Sequence, residues 1–321
     1  MTEFILVPGA FTDAHVWEET AARLGAAGAG AHAVTLGGEA GADLEAHVAD
    51  VLRAIDGVAP GDDIVLVGHD YGIHPVLGAA DQRAGRIARI VYVEAGMPQD
   101  GVPALAAVPD QVLRDELAAG PGAGVLAAPA FDAEWQRWGS TAGIPADALE
   151  RLTRRAVPQP LGTLLQPLRL TGAVYGVPTS GVLCNGNGAG IEMLQHLVNM
   201  GLPGLQALAT PQASFFELAT GYWPMLSVPA ELADTLLAAA AGEGHRLIPA
   251  TEELPVHLRP FLMDVPEVPR EGTGHVDLYV SDGAAGPPPG RGVRARRPGP
   301  GRHRRHPARL ADVPRVRPAR G

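Results

Sequence analysis

The stretch DIVLVGHDYG, residues 63–72, decides the fold of this chain. Its apolar run from Ile64 to Val67 predicts a strand buried on both faces, as in the middle of a parallel sheet. Gly68 and Gly72 allow a sharp turn, and the apolar sequence that follows continues as a helix. A strand that turns so abruptly into a helix projects the middle side chain, Asp70, at the carboxyl edge of the sheet.

The turn alone does not identify a functional site, because Asp and Gly are also common in ordinary turns. The rest of the chain alternates strands with helices. Strands are predicted at residues 4–7, 31–36, 90–94, 180–184 and 213–218, and helices at 15–25, 43–55, 73–86 and 229–241. Such alternation predicts an α/β fold, a mostly parallel sheet flanked by helices. A ligand site is then expected at the carboxyl ends of the strands.

Charge is distributed unevenly along the 321 residues. The formal net charge is -10, but residues 291–321 hold 11 Arg and one Asp, a sum of +10, so residues 1–290 carry -20. An acidic body argues against nucleic acid as a partner of the folded part. The single cysteine, Cys184, excludes an internal disulfide and fits a reducing compartment.

The sequence has no apolar run of the roughly 20 residues that span a bilayer, and its N-terminus lacks the pattern of a secretion signal. We therefore expect a cytoplasmic protein without a membrane partner. Three regions are predicted: an α/β domain at 1–241, a linker with a stray exposed strand at 242–282, and an Arg/Pro/Gly tail at 283–321 that is expected to be disordered. Helical pieces at about 98–176 either enclose a substrate as a cap or merely cover the core.

The order of these parts over about residues 3–241 resembles the α/β-hydrolase superfamily. It is most similar to the compact esterase-like branch, whose first strand ends in a Gly-containing turn and whose last strand ends in Gly-His-x-Pro-Met. The corresponding segments here are Pro8-Gly9-Ala10 and Gly221-Tyr222-Trp223-Pro224-Met225. The resemblance implies a hydrolase that needs no cofactor and no metal, acting on a small apolar molecule.

Asp70 stands where many members of the superfamily carry the nucleophilic Ser. An Asp at this nucleophile elbow is similar to epoxide hydrolases and haloalkane dehalogenases, in which the carboxylate attacks carbon and water cleaves the resulting alkyl ester. The resemblance also implies that the backbone amides of Ala10 and Tyr71 form an oxyanion hole. Both amides could equally be ordinary turn backbone.

The base position departs most from the family, because Tyr222 replaces the expected His. A phenol titrates near pH 10, so about one in a thousand is ionised at pH 7. His69, His74 and His196 are not expected to replace it. Glu94 lies where some members place the catalytic acid, although it could be a solvated strand end, and the neutral Asn187 occupies the alternative acid position.

Aromatic side chains are predicted to line the substrate pocket, namely Phe11, Trp135, Trp138, Tyr175 and Trp223. The substrate is expected to be an ester, an epoxide or an alkyl halide, with turnover impaired by Tyr222. Dehalogenases hold halide with an Asn and a Trp where this chain has Ala10 and Tyr71, and Tyr175 is the only cap tyrosine that could protonate an epoxide oxygen. The alternative is a non-catalytic binding module that keeps the pocket. The oligomeric state is left open.

The Arg-rich tail has two further interpretations. It could bind nucleic acid through its positive charge. It could also be an out-of-frame reading of a second hydrolase domain, because plausible GC-rich codons for residues 291–302 give a strand and a His-Gly-Gly-Pro turn in another frame.

Overall fold

The computed structural model describes residues 1–120, 124–201 and 203–249. Most of the predicted linker, the predicted exposed strand near residue 275 and the whole Arg-rich tail lie outside these residues.

Six parallel strands form the central sheet, which confirms the predicted α/β class. The strands are β1 (Thr2–Val7), β2 (Gly30–Ala33), β3 (Asp63–His69), β4 (Ile87–Val93), β7 (Thr179–Cys184) and β8 (Ala213–Leu218). Their order across the sheet is β2-β1-β3-β4-β7-β8. Strand β3 lies inside the sheet, and Ile64 to Val67 are at most 1% exposed, as their unbroken apolar run predicts.

Helices cover both faces of this sheet. On one face α1 (Glu18–Ala26) packs against α11 (Pro229–Ala240), and on the other α2 (Leu44–Gly57) packs against α3 (Ile73–Gln82). Apolar residues that recur at helical spacing form a buried stripe along α2, namely Leu44, Val48, Val51 and Ile55. Asp43 begins this helix, because its side chain accepts a hydrogen bond from the Ala46 amide at 2.9 Å.

The segment between β4 and β7 contains the predicted helical pieces. They are α4 (Gln111–Ala119), α5 (Asp132–Trp135), α6 (Ala146–Arg155) and α7 (Leu161–Leu165). Two short antiparallel strands, β5 (Val125–Leu126) and β6 (Gln159–Pro160), join them and were not predicted. Strands of two residues that pair across more than 30 residues leave no local pattern in a sequence.

The remaining helices are α8 (Ile191–Asn199), α9 (Pro203–Gln206) and α10 (Pro224–Ser227). His196 is on the exposed side of α8. In the part of the chain that the structure describes, no helix is both long and apolar enough to cross a membrane.

Strand β2 pairs with one side of β1, and β3 pairs with its other side. The strand order therefore changes direction between β1 and β3. After β3 the backbone passes through a short 3-10 turn, Asp70–Gly72, into α3. Gly72 lies directly against the turn after β1, because a Cβ atom at this position would be 2.4 Å from the Pro8 carbonyl oxygen and 2.8 Å from that of Val7. The elbow therefore requires glycine here.

We predict that Gly72→Ala destabilises the protein by about 2 to 3 kcal/mol, because neither clashing atom belongs to a flexible side chain. Urea unfolding measures the change. Gly85→Ala is the matched control, since a Cβ there meets no heavy atom within 4 Å, and its effect is expected below about 1 kcal/mol. Equal stability of the two variants would contradict this account of the elbow.

Candidate active site

Five loops meet at the carboxyl edge of the sheet. The strand register aligns their starting points, since Val7 pairs with Gly68, His69 with Val93, and Cys184 with Leu218. The loops that follow carry most of the predicted functional groups, namely Ala10, Asp70, Glu94, Asn187 and Tyr222. Parallel pairing thus brings together residues that are up to 212 positions apart in the sequence, from Ala10 to Tyr222.

Backbone strain is concentrated in these loops. Among the described residues, the non-glycine residues with positive φ are Phe11 at 61°, Asp70 at 49° and Glu94 at 45°. A left-handed conformation is uncommon for such residues and costs on the order of 1 to 3 kcal/mol. At Asp70 this conformation projects the side chain at the edge of the sheet, as the elbow sequence predicts.

Both carboxylate oxygens of Asp70 accept hydrogen bonds. The Ala10 amide donates to Oδ2 at 3.1 Å, and the Tyr222 hydroxyl donates to Oδ1 at 2.7 Å. Hydrogen bonds to an ionised acceptor are roughly twice as strong as those between neutral groups. The structure therefore brings the predicted nucleophile, one predicted oxyanion amide and the residue at the base position into direct contact.

The backbone of Tyr222 fixes the position of its phenol. Its amide donates to the Ser140 carbonyl at 2.8 Å, and its carbonyl accepts from Nε2 of His69 at 2.9 Å. His69 is buried beneath the elbow, and burial lowers the pKa of its imidazole. It serves here as a neutral hydrogen-bond donor to the backbone.

Glu94 lies one loop away and is not a solvated strand end. Its Oε1 accepts from the Cys184 amide, and its Oε2 accepts from Nδ2 of Asn187 at 2.9 Å. Burial raises the pKa of Glu94 to about 7, with a smaller contribution from the nearby charge of Asp70, although these hydrogen bonds favour the ionised form. The charge of Glu94 therefore changes near neutral pH.

The buried His47, which no sequence pattern singled out, anchors Tyr71, the residue after Asp70. Nε2 of His47 donates to the Gly37 carbonyl at 2.7 Å, which leaves Nδ1 to accept from the Tyr71 hydroxyl at 2.8 Å. Burial lowers the pKa of His47 and raises that of Tyr71, so both groups are neutral. The available signal was the position of His47 within the apolar stripe of α2.

His74 lies beside the same residue. Its ring stacks on that of Tyr71 with centroids 5.9 Å apart, and Nδ1 is 3.2 Å from the Tyr71 carbonyl oxygen. Burial lowers the pKa of His74 to about 4. An imidazole with so low a pKa is a weak base at neutral pH.

A small cavity opens beside the Asp70 carboxylate. The space available to the centres of water molecules is about 20 Å³, which suits about one water. Its lining combines Ala10 and the elbow residues Asp70, Tyr71 and His74 with the predicted Trp138. The other lining residues were not predicted, namely Ala104, Ala107, Val108, Pro109 and Leu164.

The predicted pocket aromatics separate into three positions. Trp138 lines the cavity, and Phe11 packs edge-on against it with ring centroids 4.7 Å apart. The rings of Trp135 and Trp223 contact each other in the core, with centroids 5.6 Å apart, and both side chains are almost completely buried. Tyr175 is not brought to this group, because it lies just before β7, at the amino edge of the sheet, and is 65% exposed.

The cap is attached to the site loops by backbone hydrogen bonds. The Val157 amide donates to the Phe11 carbonyl at 2.9 Å, and the Gly221 amide donates to the Ala142 carbonyl at 3.1 Å. The Ser140 amide donates to Oδ1 of Asn187 at 3.1 Å. The cap thus contacts the loops that follow β1, β7 and β8, which are the loops that carry Ala10, Asn187 and Tyr222.

Comparison with known proteins is consistent with this architecture. The chain is 32% identical over 256 residues to a carbendazim hydrolyzing esterase from Nocardioides sp. (strain SG-4G), a match that covers 74% of this chain and 99% of that protein. Among solved structures, a methylesterase from Arabidopsis is similar with a TM-score of 0.56 at 19% identity, covering 76% of this chain and 100% of the other. A polyneuridine aldehyde esterase has a TM-score of 0.57 at 16% identity, with 75% and 99% covered.

The family model of the alpha/beta hydrolase family matches residues 4–235, which include all six strands of the sheet and the elbow. This match spans well over half of the chain, and it agrees with the esterase relative and with the strand order. The chain therefore belongs to the α/β-hydrolase family, on its esterase-like side.

Proposed function

We propose that this α/β hydrolase cleaves a small apolar ester, epoxide or alkyl halide through nucleophilic attack by Asp70. The observation that carries the proposal is the position of the Asp70 carboxylate. It projects from a strained elbow beside the cavity, and the Ala10 amide and the Tyr222 hydroxyl hold it there. Attack by Oδ1 on carbon gives an alkyl-ester intermediate on Asp70, which water then hydrolyses.

The amides of Ala10 and Tyr71 are proposed as the oxyanion hole. When Oδ1 becomes the ester oxygen, Oδ2 becomes the carbonyl oxygen, and water attack turns it into an oxyanion. The Ala10 amide already lies 3.1 Å from Oδ2, within the range expected of an oxyanion donor. The negative charge of the tetrahedral intermediate therefore develops on Oδ2, which already accepts a hydrogen bond from the Ala10 amide before the reaction begins.

A carboxylate nucleophile favours substrates with a reactive carbon centre. Its attack on an ester carbonyl would give an anhydride, which is more reactive than the ester itself, so an ester is better cleaved at its alkyl carbon. Epoxides and alkyl halides present such a carbon directly. The esterase names of the relatives support an ester as one substrate class.

The second step is impaired in this proposal. A general base must take a proton from the attacking water, and it works best when its pKa is near the working pH. A phenol at the base position meets that requirement poorly, since it is almost entirely protonated at pH 7. Asp70 therefore forms its adduct more readily than the site hydrolyses it.

A non-catalytic binding module is the second candidate function. It is favoured by the occupied state of the nucleophile, because both Asp70 oxygens already accept hydrogen bonds. The cavity beside it is also small, with room for about one water. Such a module would bind a small apolar molecule reversibly and form no covalent adduct.

Glu94 is proposed as the acid of the site. In this role it would be a charged partner behind the base position, positioned through Asn187. Because its pKa is about 7, it contributes a full negative charge only above neutral pH. The contribution of Glu94 to catalysis therefore increases as the pH rises through neutrality.

We predict that 1-bromopropane alkylates the full chain once, at Asp70, and that the adduct persists. Intact mass spectrometry measures the added propyl mass, and peptide mapping assigns the residue. Asp70→Asn is the matched control, since Asn tolerates the left-handed backbone and lacks the nucleophilic charge. The absence of any adduct on wild-type Asp70, with saturable binding of an apolar ligand, would favour the binding module.

We predict that Tyr222→His speeds hydrolysis of this propyl adduct by about 10²-fold at pH 7.5, because imidazole is largely unprotonated there and is a competent base. The decay of the adduct mass after removal of free reagent gives the rate. Tyr222→Phe is the control, since it removes the phenol without adding a base. An adduct of unchanged lifetime in the His variant would show that position 222 is not the base position.

We predict a pH-dependent stability contribution from Glu94. Because its native pKa is raised from 4.5 to about 7, the native state keeps a proton that the unfolded chain has lost, so stability falls as the pH rises across this window. Glu94→Gln is expected to make the free energy of unfolding less dependent on pH, by on the order of 3 kcal/mol summed over this window. Urea unfolding from pH 4.5 to 8 measures it, and Glu217→Gln, an exposed carboxylate that also accepts a backbone amide, is expected to retain the slope.

A further inference from the structure

We infer that Tyr222 acts in both halves of the reaction, first donating its proton and then, as a phenolate, accepting one from water. The inference rests on the proposed nucleophilic role of Asp70. It names epoxides as the exception among the proposed substrates, for which the otherwise impaired second step goes to completion. Alkyl halides are then expected to stop at the adduct.

The carrying observation is the contact between the phenol and the attacking atom. The Tyr222 hydroxyl lies 2.7 Å from Oδ1 of Asp70, so it is beside the line of attack. The ring oxygen also departs on the face opposite Oδ1, but it remains bonded to the neighbouring carbon. Rotation about the carbon–carbon bond after ring opening brings this alkoxide beside Oδ1, where the Tyr222 hydroxyl can reach it. A halide that is displaced from the opposite side departs directly away from this donor.

The first step balances without any other acid. Oδ1 of Asp70 forms a bond to the epoxide carbon, the carbon–oxygen bond of the ring breaks, and its electron pair goes to the oxygen. Tyr222 transfers its proton to this alkoxide. The negative charge of Asp70 is thereby replaced by the charge of the Tyr222 phenolate, and the net charge of the site is unchanged.

The second step uses the phenolate that the first step produced. It takes a proton from the water that attacks the Asp70 ester carbonyl, while the Ala10 amide holds the oxyanion on Oδ2. Collapse of the tetrahedral intermediate breaks the ester bond, and the second proton of the water goes to the departing alkoxide. The products are a diol, the Asp70 carboxylate and the Tyr222 phenol, so the site returns to its starting state.

An alkyl halide does not generate this base. Bromide leaves with the electron pair of the carbon–bromine bond and takes no proton, because it is a very weak base. Tyr222 remains a phenol, and only about one molecule in a thousand is ionised at pH 7. The alkyl ester on Asp70 therefore persists, although attack by Asp70 is the same in both reactions.

The cavity beside Asp70 places water next to the ester rather than next to the departing group. Its apolar lining includes Ala104, Val108 and Leu164, and its space suits about one water. Tyr222 lies at the border of this space, since its hydroxyl contacts Oδ1 of Asp70, which lines the cavity.

His74 is the competing base, because it lines the same cavity. It would act on the alkyl ester of a halide and on that of an epoxide equally, since neither reaction changes its protonation. The proposed role of Tyr222 instead predicts different outcomes for the two reagents. A comparison of matched substrates therefore distinguishes these residues.

The test compares 1,2-epoxypropane with 1-bromopropane, which have the same number of carbon atoms, on the full wild-type chain and on Tyr222→Phe. Product diol is measured by gas chromatography and the adduct by intact mass spectrometry. A single turnover of the epoxide in H₂¹⁸O, with enzyme in excess, follows the label. Water attack on the ester carbonyl places ¹⁸O in Asp70, whereas direct attack on the epoxide places it in the diol.

The expected result is a crossover. The wild-type chain forms diol over many turnovers and incorporates ¹⁸O into Asp70, but with the bromide it accumulates a single persistent adduct. In Tyr222→Phe, diol formation falls by about 10²- to 10⁴-fold. Alkylation by the bromide becomes roughly three- to tenfold faster, because the carboxylate loses a stabilising donor. A purely structural role of Tyr222 would slow both reactions together.

Two results would overturn the inference. One is diol formation by Tyr222→Phe at the wild-type rate, and the other is an epoxide adduct on the wild-type chain that lasts as long as the bromide adduct. If the bromide still labels Asp70 in either case, the proposed nucleophile stands and only the role of Tyr222 fails. If neither reagent reacts at Asp70, the proposed function fails as well.

Discussion

The contact between the elbow and the turn after β1 is the constraint on which the site depends. Gly72 lies so close to the carbonyl oxygens of Val7 and Pro8 that no side chain fits between them. This approach places the Ala10 amide within hydrogen-bond distance of the Asp70 carboxylate. It also leaves Asp70 in a left-handed conformation, with a cost that the buried central strands offset.

Local sequence patterns predicted the parts of the fold that short-range physics determines. The apolar run of β3 and the stripe of α2 each specify burial without reference to the rest of the chain. The proximity of Asp70 to Tyr222 was predictable as well, because the carboxyl ends of parallel strands share an edge. Contacts between distant segments could not be predicted from local patterns. The pairing of β5 with β6 and the contact of His47 with Tyr71 arise only in the folded chain. Tyr175 shows the same limit, because an aromatic residue near a strand gives no indication of the edge on which it lies.

The site keeps the family's scaffold with different chemical groups at its key positions. An esterase-like fold holds a carboxylate at the elbow and a phenol beside it, at the position where the resemblance predicts an imidazole. These two replacements suit each other, since the phenol donates to the carboxylate and forms a stable resting pair. A scaffold that fixes backbone amides and loop positions can thus accept different side chains while it keeps the contact between the Ala10 amide and the residue at the elbow.

The hydrogen bond between Asn187 and Glu94 also limits the mutational paths open to this protein. An Asn187→Asp substitution, the simplest step towards an acidic residue at that position, would set a second carboxylate where Nδ2 now lies 2.9 Å from Glu94. Two carboxylates at that distance must share a proton, so the substitution is disfavoured while Glu94 is present. An acidic residue at position 187 therefore fits better once position 94 no longer carries a carboxylate, so the effect of a substitution at one position depends on the residue at the other.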